Sequence, residues 1–373
     1  MPELANQLGF AMIDNYDARM GGGRDLPVLD PRVTRPPACT ELTSAQAEKA
    51  IASGKGCDTP EDRARAYQLA RDAEIAGARN AIMWSRIFGV TGWQKPGDHT
   101  GPAIDNDFLR GRGPQYSYSF GGIQAGIDLV HRDGADGSRD RAGLYVGYVD
   151  ATADVSQVFS GVFATNKAGT LSINGYSAGA YWTHFFPSGW YFDGVAQGTW
   201  FGQVKGQTVN TGMSVDGSAV SASLESGYPI HFATAWTIEP QAQLIYQHLK
   251  LNSGSDLFGL TSFNGTDDAR GRVGAKLSYA TSTGSGPMTL WLRTNLWHDF
   301  TSNRPSATFS TLSGADSVLL KGSLGGTWGE VDAGLEAKLY EKVSLFGSTF
   351  YDRSLGAARS WSAGGRVGMK VQF

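Results

Sequence analysis

Alternation of apolar and polar residues dominates the chain from about residue 81 to its end. In the final segment, Trp361, Val367 and Met369 fall on one face, whereas Arg366 and Lys370 fall on the other. The same pattern recurs in the segments 236–248 and 288–300. It predicts β-strands with one apolar and one polar face. The strands are longer than the usual roughly 5–6 residues and match the roughly 9–11 tilted residues that cross a bilayer.

The beginning of the chain follows a different period. Leu4, Leu8, Met12 and Tyr16 recur every four residues, which is typical of one face of a helix. The run ends at three consecutive glycines, residues 21–23, which is a strong stop signal. The pattern predicts a single helix from Pro2 to Met20.

Residues 24–80 separate this helix from the alternating region. The segment begins rich in proline and then predicts two short helices, at about 43–53 and 59–80. The chain's two cysteines, Cys39 and Cys57, lie near the turn between these helices. In an oxidising compartment a disulfide between them would close a short loop, and two free thiols are the alternative.

Twelve alternating segments follow one another along the chain. Their centres lie near Ile87, Ile123, Val146, Gly179, Ala196, Leu224, Leu244, Gly274, Leu292, Leu335, Gly347 and Val367. The links between them alternate broadly between tight turns, such as 187–189, and long polar loops, such as 94–115. This layout predicts a twelve-stranded antiparallel transmembrane β-barrel over residues 81–373 rather than a soluble β-sandwich.

Composition narrows the class of protein further. The chain has 373 residues, 50 of them glycine, with 10 Trp, 14 Tyr and 18 Phe and a net charge of −3. Few prolines exclude collagen, and the aromatic content argues against disorder. The sequence has no long block of basic residues of the kind that binds nucleic acid. Aromatic residues near strand ends are expected to form interfacial girdles: Trp84, Trp93, Tyr116, Tyr118, Trp190, Tyr191, Trp200, Phe201, Trp236, Tyr351 and Trp361.

The first residues carry no secretion signal. Residues 1–14 have no basic region followed by an apolar core and a small-residue cleavage site. We therefore expect either a cytosolic chain or a fragment whose leader lies upstream.

Several blocks in order resemble the β-domain of autotransporters, the translocators of type V secretion. They include residues 84–89, 122–128, 142–148, 177–182, 189–194, 222–229, 239–246 and 270–274, together with the segment Tyr16–Gly21. The resemblance implies a twelve-stranded barrel in the bacterial outer membrane that exports a passenger domain. Its helical linker, here residues 1–23, would thread the pore. Phe373 looks like the terminal signal read by the barrel-assembly machinery.

The resemblance also sets expectations for the other parts of the chain. The insertion 24–80 departs from the family pattern and would lie in the periplasm, where a disulfide between Cys39 and Cys57 is chemically reasonable. Expected partners are outer-membrane lipid, the assembly machinery and the passenger, and the expected state is a monomer. A small porin, or an adhesin-like barrel whose loops are functional, is the alternative.

Inward-facing charged residues are the candidate site. Alternation points them into the lumen, and the main candidates are Arg86, Asp193, Glu225, Glu239, Arg270, Arg272 and Arg293. They either make the lumen polar or also hold the linker. Some autotransporters use lumen acids to cut their linker at an asparagine. Asp193 and Glu225 are acids in suitable blocks, but the paired asparagines of one cleaving subgroup are absent, so cleavage is not favoured.

Other chemistry has little support in the sequence. Gly175–Gly179 matches the G-x-S-x-G pattern of hydrolases, yet it lies inside an alternating strand with Ser177 expected to face lipid. The six histidines show no metal-ligand spacing. We expect no catalytic residue, metal, cofactor or small-molecule substrate.

Overall fold

The computed structural model describes residues 1–13, 15–21, 81–95, 115–134, 136–158, 165–233, 235–283, 286–301, 306–313, 317–321, 326–340, 342–356 and 359–373. Two helices open the chain, α1 (Pro2–Met12) and α2 (Tyr16–Met20). Among the helices described, none is both long and apolar enough to cross a membrane. Cys39, Cys57 and the insertion 24–80 lie outside the described residues, so the expectations for them stay predictions.

Seventeen strands follow in the described ranges. They are β1 (Ile82–Lys95), β2 (Gln115–Asp133), β3 (Arg139–Val158), β4 (Thr165–Phe185), β5 (Tyr191–Gln207), β6 (Gly212–Gly227), β7 (Ile230–Ala233), β8 (Trp236–Leu251), β9 (Gly254–Ser255), β10 (Gly259–Phe263), β11 (Thr266–Thr283), β12 (Gly286–Asp299), β13 (Ser306–Thr311), β14 (Ser317–Lys321), β15 (Thr327–Tyr340), β16 (Val343–Ser354) and β17 (Arg359–Gln372).

Twelve of these strands form a closed antiparallel barrel, as the alternating pattern predicts. They are β1–β6, β8, β11, β12, β15, β16 and β17, and β17 pairs with β1 over the register Ile82↔Gln372 to Lys95↔Arg359. Each of the twelve predicted centres falls in a different one of them. Closure pairs β1 with β17, so the described barrel strands leave no open sheet edge toward lipid. We call the end with short links the turn end and the other the loop end.

The outer face carries the aliphatic residues that the pattern assigns to it. Ile87, Leu292 and Val367 expose 59%, 47% and 59% of their surface, while Arg86 and Arg293, each beside one of them in sequence, are buried in the lumen. At the loop end, β9, β10, β13 and β14 form a separate small sheet.

The predicted single helix is divided into two. Ile13 has an extended backbone, and Asn15 starts α2 by accepting a hydrogen bond from the Ala18 amide at 2.9 Å. Asparagine favours this N-cap position, which explains the break. The predicted stop is confirmed, because Gly21 caps α2 with a φ of 87°.

Two expectations about faces are wrong for the same reason. Trp84, Tyr191 and Phe201, expected in the girdles, are buried inside the lumen, and so is Ser177, which was expected to face lipid. Tyr116 and Tyr118, also expected in the girdles, face the lumen beside α1. Where the wall packs on the helices, the lumen face is itself apolar, so simple alternation assigns the wrong side. Trp200 is 56% exposed on the outer face, as a girdle residue should be. Because Ser177 lies within β4, it lacks the strand-to-helix turn that a nucleophile needs.

Candidate functional site: the helix-filled lumen

The two helices run through the barrel from the loop end to the turn end. The apolar side of α1 is fully buried, with Leu4, Leu8 and Met12 no more than 1% exposed. These side chains pack against wall residues such as Val149 and Ile173. Hydrophobic contact on this side positions the helix, and polar contacts then fix its register.

Around α2 the wall supplies an aromatic cage. Tyr16 packs edge-on against Phe185 at 5.3 Å between ring centroids and near Tyr191 at 6.3 Å. Trp84 and Tyr181 join the same buried cluster. The cage encloses the short helix at the turn end of the lumen.

Arg19 anchors one side of α2. Its guanidinium donates to Asp193 at 2.5 Å, and it also lies 4.6 Å from the centre of the Tyr181 ring. Thr183 donates a further hydrogen bond to the same carboxylate at 2.6 Å. Both ionic groups are buried, so each depends on the other for compensation of its lost hydration.

Asp17 anchors the other side of α2. Its carboxylate lies 2.8 Å from the Lys276 ammonium and 3.5 Å from the Arg293 guanidinium, and Gln241 donates to it at 3.2 Å. Arg293 in turn pairs with Asp332 at 2.9 Å. With wall residues on both sides, α2 is held by buried charges on β5, β11 and β12.

Backbone groups of the helices are also bound by wall side chains. Arg86 donates to the Ala18 carbonyl at 3.1 Å, and Gln124 donates to the Met12 carbonyl at 2.8 Å. Trp291 donates to the Gly21 carbonyl at 3.1 Å. These bonds satisfy carbonyls at the C-terminal ends of α1 and α2, which have no partner within the helices.

Asn6 and Gly9 fit α1 to strand β8. Gln247 donates to the Asn6 carbonyl at 2.9 Å and to its side-chain oxygen at 2.6 Å, while Ser221 donates to Gln247. The Asn6 amide donates to Asp268 at 2.5 Å. Any side chain at Gly9 would overlap the fixed Gln247 amide. A larger residue at position 9 must therefore displace the end of the Gln247 side chain from its hydrogen bonds with Asn6 and Ser221.

Replacing Gly9 by leucine should destabilise the docked helix by about 1–3 kcal/mol, because an overpacked interface must shift. Differential scanning calorimetry of the purified chain measures the change. Ala11→Leu is the matched control, since Ala11 lies on the same helix and faces open space in the lumen. Equal loss of stability in both variants would contradict the packing argument.

The structure divides the seven candidate lumen residues into two groups. Arg86, Asp193 and Arg293 contact α2, and Arg270 stacks on the Phe10 ring of α1 at 3.8 Å. The other three are bonded to other wall residues: Glu225, Glu239 and Arg272. Arg272 pairs with Glu225, which also accepts a hydrogen bond from Tyr191 at 2.6 Å. Glu239 lies 3.8 Å from Lys276.

The candidate set omits residues that contact the helices directly. The omitted wall residues are Gln124, Gln241, Gln247, Asp268, Lys276 and Trp291. The omitted helix residues are Asp17 and Arg19, through which α2 binds the wall. Alternation assigns Lys276 to the lumen, so charge and face could identify it. The glutamines carry no such signal, because a neutral amide is equally common on any polar face.

Phe373 ends the barrel at the turn end. Its side chain is 57% exposed, and its amide donates to the Ala81 carbonyl at 3.0 Å, which ties the terminus to the start of β1. Among the described residues no group of three His, Cys, Asp or Glu side chains could hold a metal ion.

Comparison with known proteins gives one consistent family. The family described as "Autotransporter beta-domain" matches residues 105–349. Adhesin BmaC autotransporter of Brucella suis biovar 1 (strain 1330) is 29% identical over 67% of this chain and 7% of its own length. Probable autotransporter YfaL of Escherichia coli (strain K12) is 27% identical over 77% of this chain and 23% of its own length. The chain thus spans less than a quarter of either relative.

Two solved structures with similar folds are autotransporter units. The transport unit of AIDA-I from Escherichia coli has a TM-score of 0.58 and 18% identity, covering 82% of this chain and 97% of that one. The translocator domain of NalP from Neisseria meningitidis has a TM-score of 0.57 and 12% identity, covering 88% and 98%. At these identities the likeness establishes the shared barrel fold.

Proposed function

The chain belongs to the autotransporter β-domain family, and from this premise we propose that it is the outer-membrane translocator through which a passenger domain reaches the cell surface. The observation that carries the proposal is the path of α1 and α2. They traverse the lumen from the loop end to the turn end, and Asp193, Lys276 and Arg293 hold α2 there. A passenger joined before α1 would therefore lie beyond the loop end.

The mechanism that follows is physical rather than catalytic. The loop end would face outside and the turn end the periplasm, with residues 24–80 as a periplasmic insertion. Lipid meets an aliphatic outer face, and the lumen offers charged and amide groups to a polypeptide in transit. Once export is complete, α1 and α2 would seal the pore as a linker. We propose that the barrel acts as a monomer and that Phe373 is read during assembly.

Cleavage of the linker is not part of the proposal. Asp193 and Glu225 are engaged by Arg19 and Arg272, and Asn15 is an N-cap. Asn6 does reach a lumen carboxylate, Asp268, but its peptide lies within α1, where helical hydrogen bonds fix the backbone. We therefore expect linker and barrel to stay joined.

An export assay tests the proposal. A reporter domain preceded by a secretion signal is fused before Met1, and its exposure on intact Gram-negative cells is measured with an impermeant protease. The reporter should be degraded from outside, and reporter and barrel should run as one polypeptide before digestion. A periplasmic marker that stays protected shows that the cells are intact.

The same assay distinguishes a translocator from the alternative, a small porin or an adhesin-like barrel. If heat-modifiable migration shows that the barrel is folded but the reporter remains in the periplasm, the translocator proposal is wrong. Rapid sugar uptake by liposomes containing the chain would then favour a porin. If the exported fusion is cut into two polypeptides, only the expectation of an uncut linker is wrong, and the translocator proposal stands.

A further inference from the structure

Apolar side chains occupy the tips of three links at the loop end. Val209 lies on the β5–β6 link, Leu257 and Phe258 lie on the β9–β10 link, and Leu312 directly follows β13. They expose 94%, 68%, 56% and 75% of their surface, respectively. Exposed tips normally carry Gly, Asn, Asp or Ser. We call these four side chains the apolar crest.

The three tips of the apolar crest lie together. The Leu257 amide donates to the Thr211 hydroxyl of the β5–β6 link at 3.3 Å. Gly259 pairs with Thr311 in the small sheet, which places Leu312 beside the β9–β10 turn. Contiguous exposed apolar residues mark interaction sites, whereas single scattered ones do not. The apolar crest therefore has the character of an interaction surface.

The β9–β10 turn does not itself require apolar residues. The Asp256 amide donates to the Gly259 carbonyl at 2.9 Å, and Asp256 Oδ1 accepts from the amides of Phe258 and Gly259 at 2.9 and 3.1 Å. Leu257 and Phe258 are thus the central residues of a tight turn that backbone groups and Asp256 close. Their side chains take no part in these bonds, so serine at either position leaves the turn intact.

The barrel's own bilayer does not cover the apolar crest. Trp200 lies in the outer girdle near the loop end, and β5 continues for seven residues beyond it to Gln207. At about 3.3 Å per residue and a strand tilt of about 45°, these residues rise roughly 15 Å above the girdle. The apolar crest therefore lies outside the hydrocarbon, where exposed apolar surface is unfavourable.

The N-terminus of α1 lies close to the apolar crest. A Cβ at Gly206 would overlap the Met1 methyl group, and Gly206 comes three residues before Val209 on the same hairpin. A chain joined before Met1 leaves the lumen at this point. A short flexible connection would hold its first residues near the apolar crest at an effective concentration of millimolar order.

We propose that the apolar crest docks an apolar segment of the exported chain immediately before α1. This inference rests on the proposed function, which places an exported chain there. The residues beside Val209 are Thr208 and Asn210, and Ser313 follows Leu312. Hydroxyl and amide groups can hydrogen-bond the backbone of an uncharged polypeptide, whereas an anionic lipid surface attracts basic side chains.

A tethered segment tests the proposal. The segment Val-Thr-Val-Leu-Lys-Val-Thr-Val and a Gly/Ser spacer of about six residues are fused before Met1 of the full chain, which is then reconstituted in nanodiscs. Trypsin cleavage after the lysine of the segment is followed by mass spectrometry. The triple variant Leu257→Ser, Phe258→Ser, Leu312→Ser should be cleaved about tenfold faster than the parent, because the parent holds the segment on the apolar crest.

Leu355→Ser is the matched control for the triple variant. Leu355 is 65% exposed, lies on the β16–β17 link and is outside the apolar crest. Its replacement should leave the cleavage rate unchanged. A segment with serine at each apolar position should be cleaved at one rate in the parent and the triple variant. Heat-modifiable migration shows whether each variant is folded, and Phe258→Ser alone should accelerate cleavage several-fold if the triple variant does not fold.

The proposal is wrong if the apolar segment is cleaved equally fast in the parent and the folded crest variant, or if Leu355→Ser accelerates cleavage as much. Two other measurements identify a different occupant and would also overturn it. A dimer that sediments with the parent but not with the triple variant would assign the apolar crest to a second copy. Nanodiscs that float with phosphatidylcholine vesicles only when the apolar crest is intact would assign it to lipid.

The export assay keeps this inference separate from the proposed function. If the reporter reaches the cell surface but the apolar segment is not protected in nanodiscs, only docking on the apolar crest is wrong. If the reporter stays in the periplasm although the barrel is folded, the proposed function is wrong and this inference falls with it.

Discussion

Replacing Asp17 by alanine is expected to destabilise the docked α2 by about 3 kcal/mol, because it removes the carboxylate 2.8 Å from the buried Lys276 and leaves the Glu239 carboxylate at 3.8 Å. Arg293 loses a second carboxylate but keeps Asp332. The barrel itself should survive, since its strands pair independently of the helix. At about 1.4 kcal/mol per factor of ten, the linker would then spend about 10² times more time outside its site.

Limited trypsin digestion measures this release, because the Arg19 side chain is only 2% exposed in the lumen. Cleavage after Arg19, followed by mass spectrometry, should accelerate strongly in Asp17→Ala. Asp136→Ala, which removes a carboxylate from an exposed turn, is the control and should leave the rate unchanged. Adding Lys276→Met should restore part of the protection, since removing both members of a buried pair costs less than removing one. Unchanged cleavage in Asp17→Ala would refute the anchoring role.

Replacing Val367 by arginine is expected to cost about 2–4 kcal/mol near the bilayer midplane and to impair assembly. Val367 is 59% exposed on the outer face and lies between Ile87 and Gly347 in the sheet. An arginine there must place its charge in hydrocarbon. The folded fraction, read from heat-modifiable migration after membrane extraction, should fall sharply.

Ser360→Arg is the matched control for this prediction. It introduces the same side chain into the same strand, but Ser360 lines a lumen cavity together with Glu330 and Asp352. Assembly should be nearly normal. Gln243 also faces the lumen, but it is unsuitable as a control because it accepts a hydrogen bond from Arg272 and donates one to Ser223. If Ser360→Arg fails as badly as Val367→Arg, the assignment of faces is wrong.

Side-chain faces were predictable only where the lumen is polar. In β8, β12 and β17 the polar face points inward, so alternation assigns Glu239, Arg293 and Lys370 correctly to the lumen. In β4 the inward face carries Tyr181 and Phe185, which pack around α2. Apolar residues then occupy both faces, and the period of two no longer distinguishes lipid from lumen. Where a helix fills the lumen, the inner wall faces protein instead of water, and apolar residues are therefore favoured there.

The amino-acid sequence alone determined the twelve strands, their antiparallel order, the lipid-facing aliphatic residues and the family resemblance. The strands and their faces follow from local periodicity, the antiparallel order follows from the lengths of the links, and the resemblance follows from short sequence segments that match the family. Only the tertiary structure decided which lumen charges hold the helix, because Asp17 and Lys276 are 259 positions apart in the chain. The fit of Gly9 against Gln247 also depends on that docking. Contacts between a threaded helix and a closed wall have no sequence period, so three-dimensional packing alone sets them.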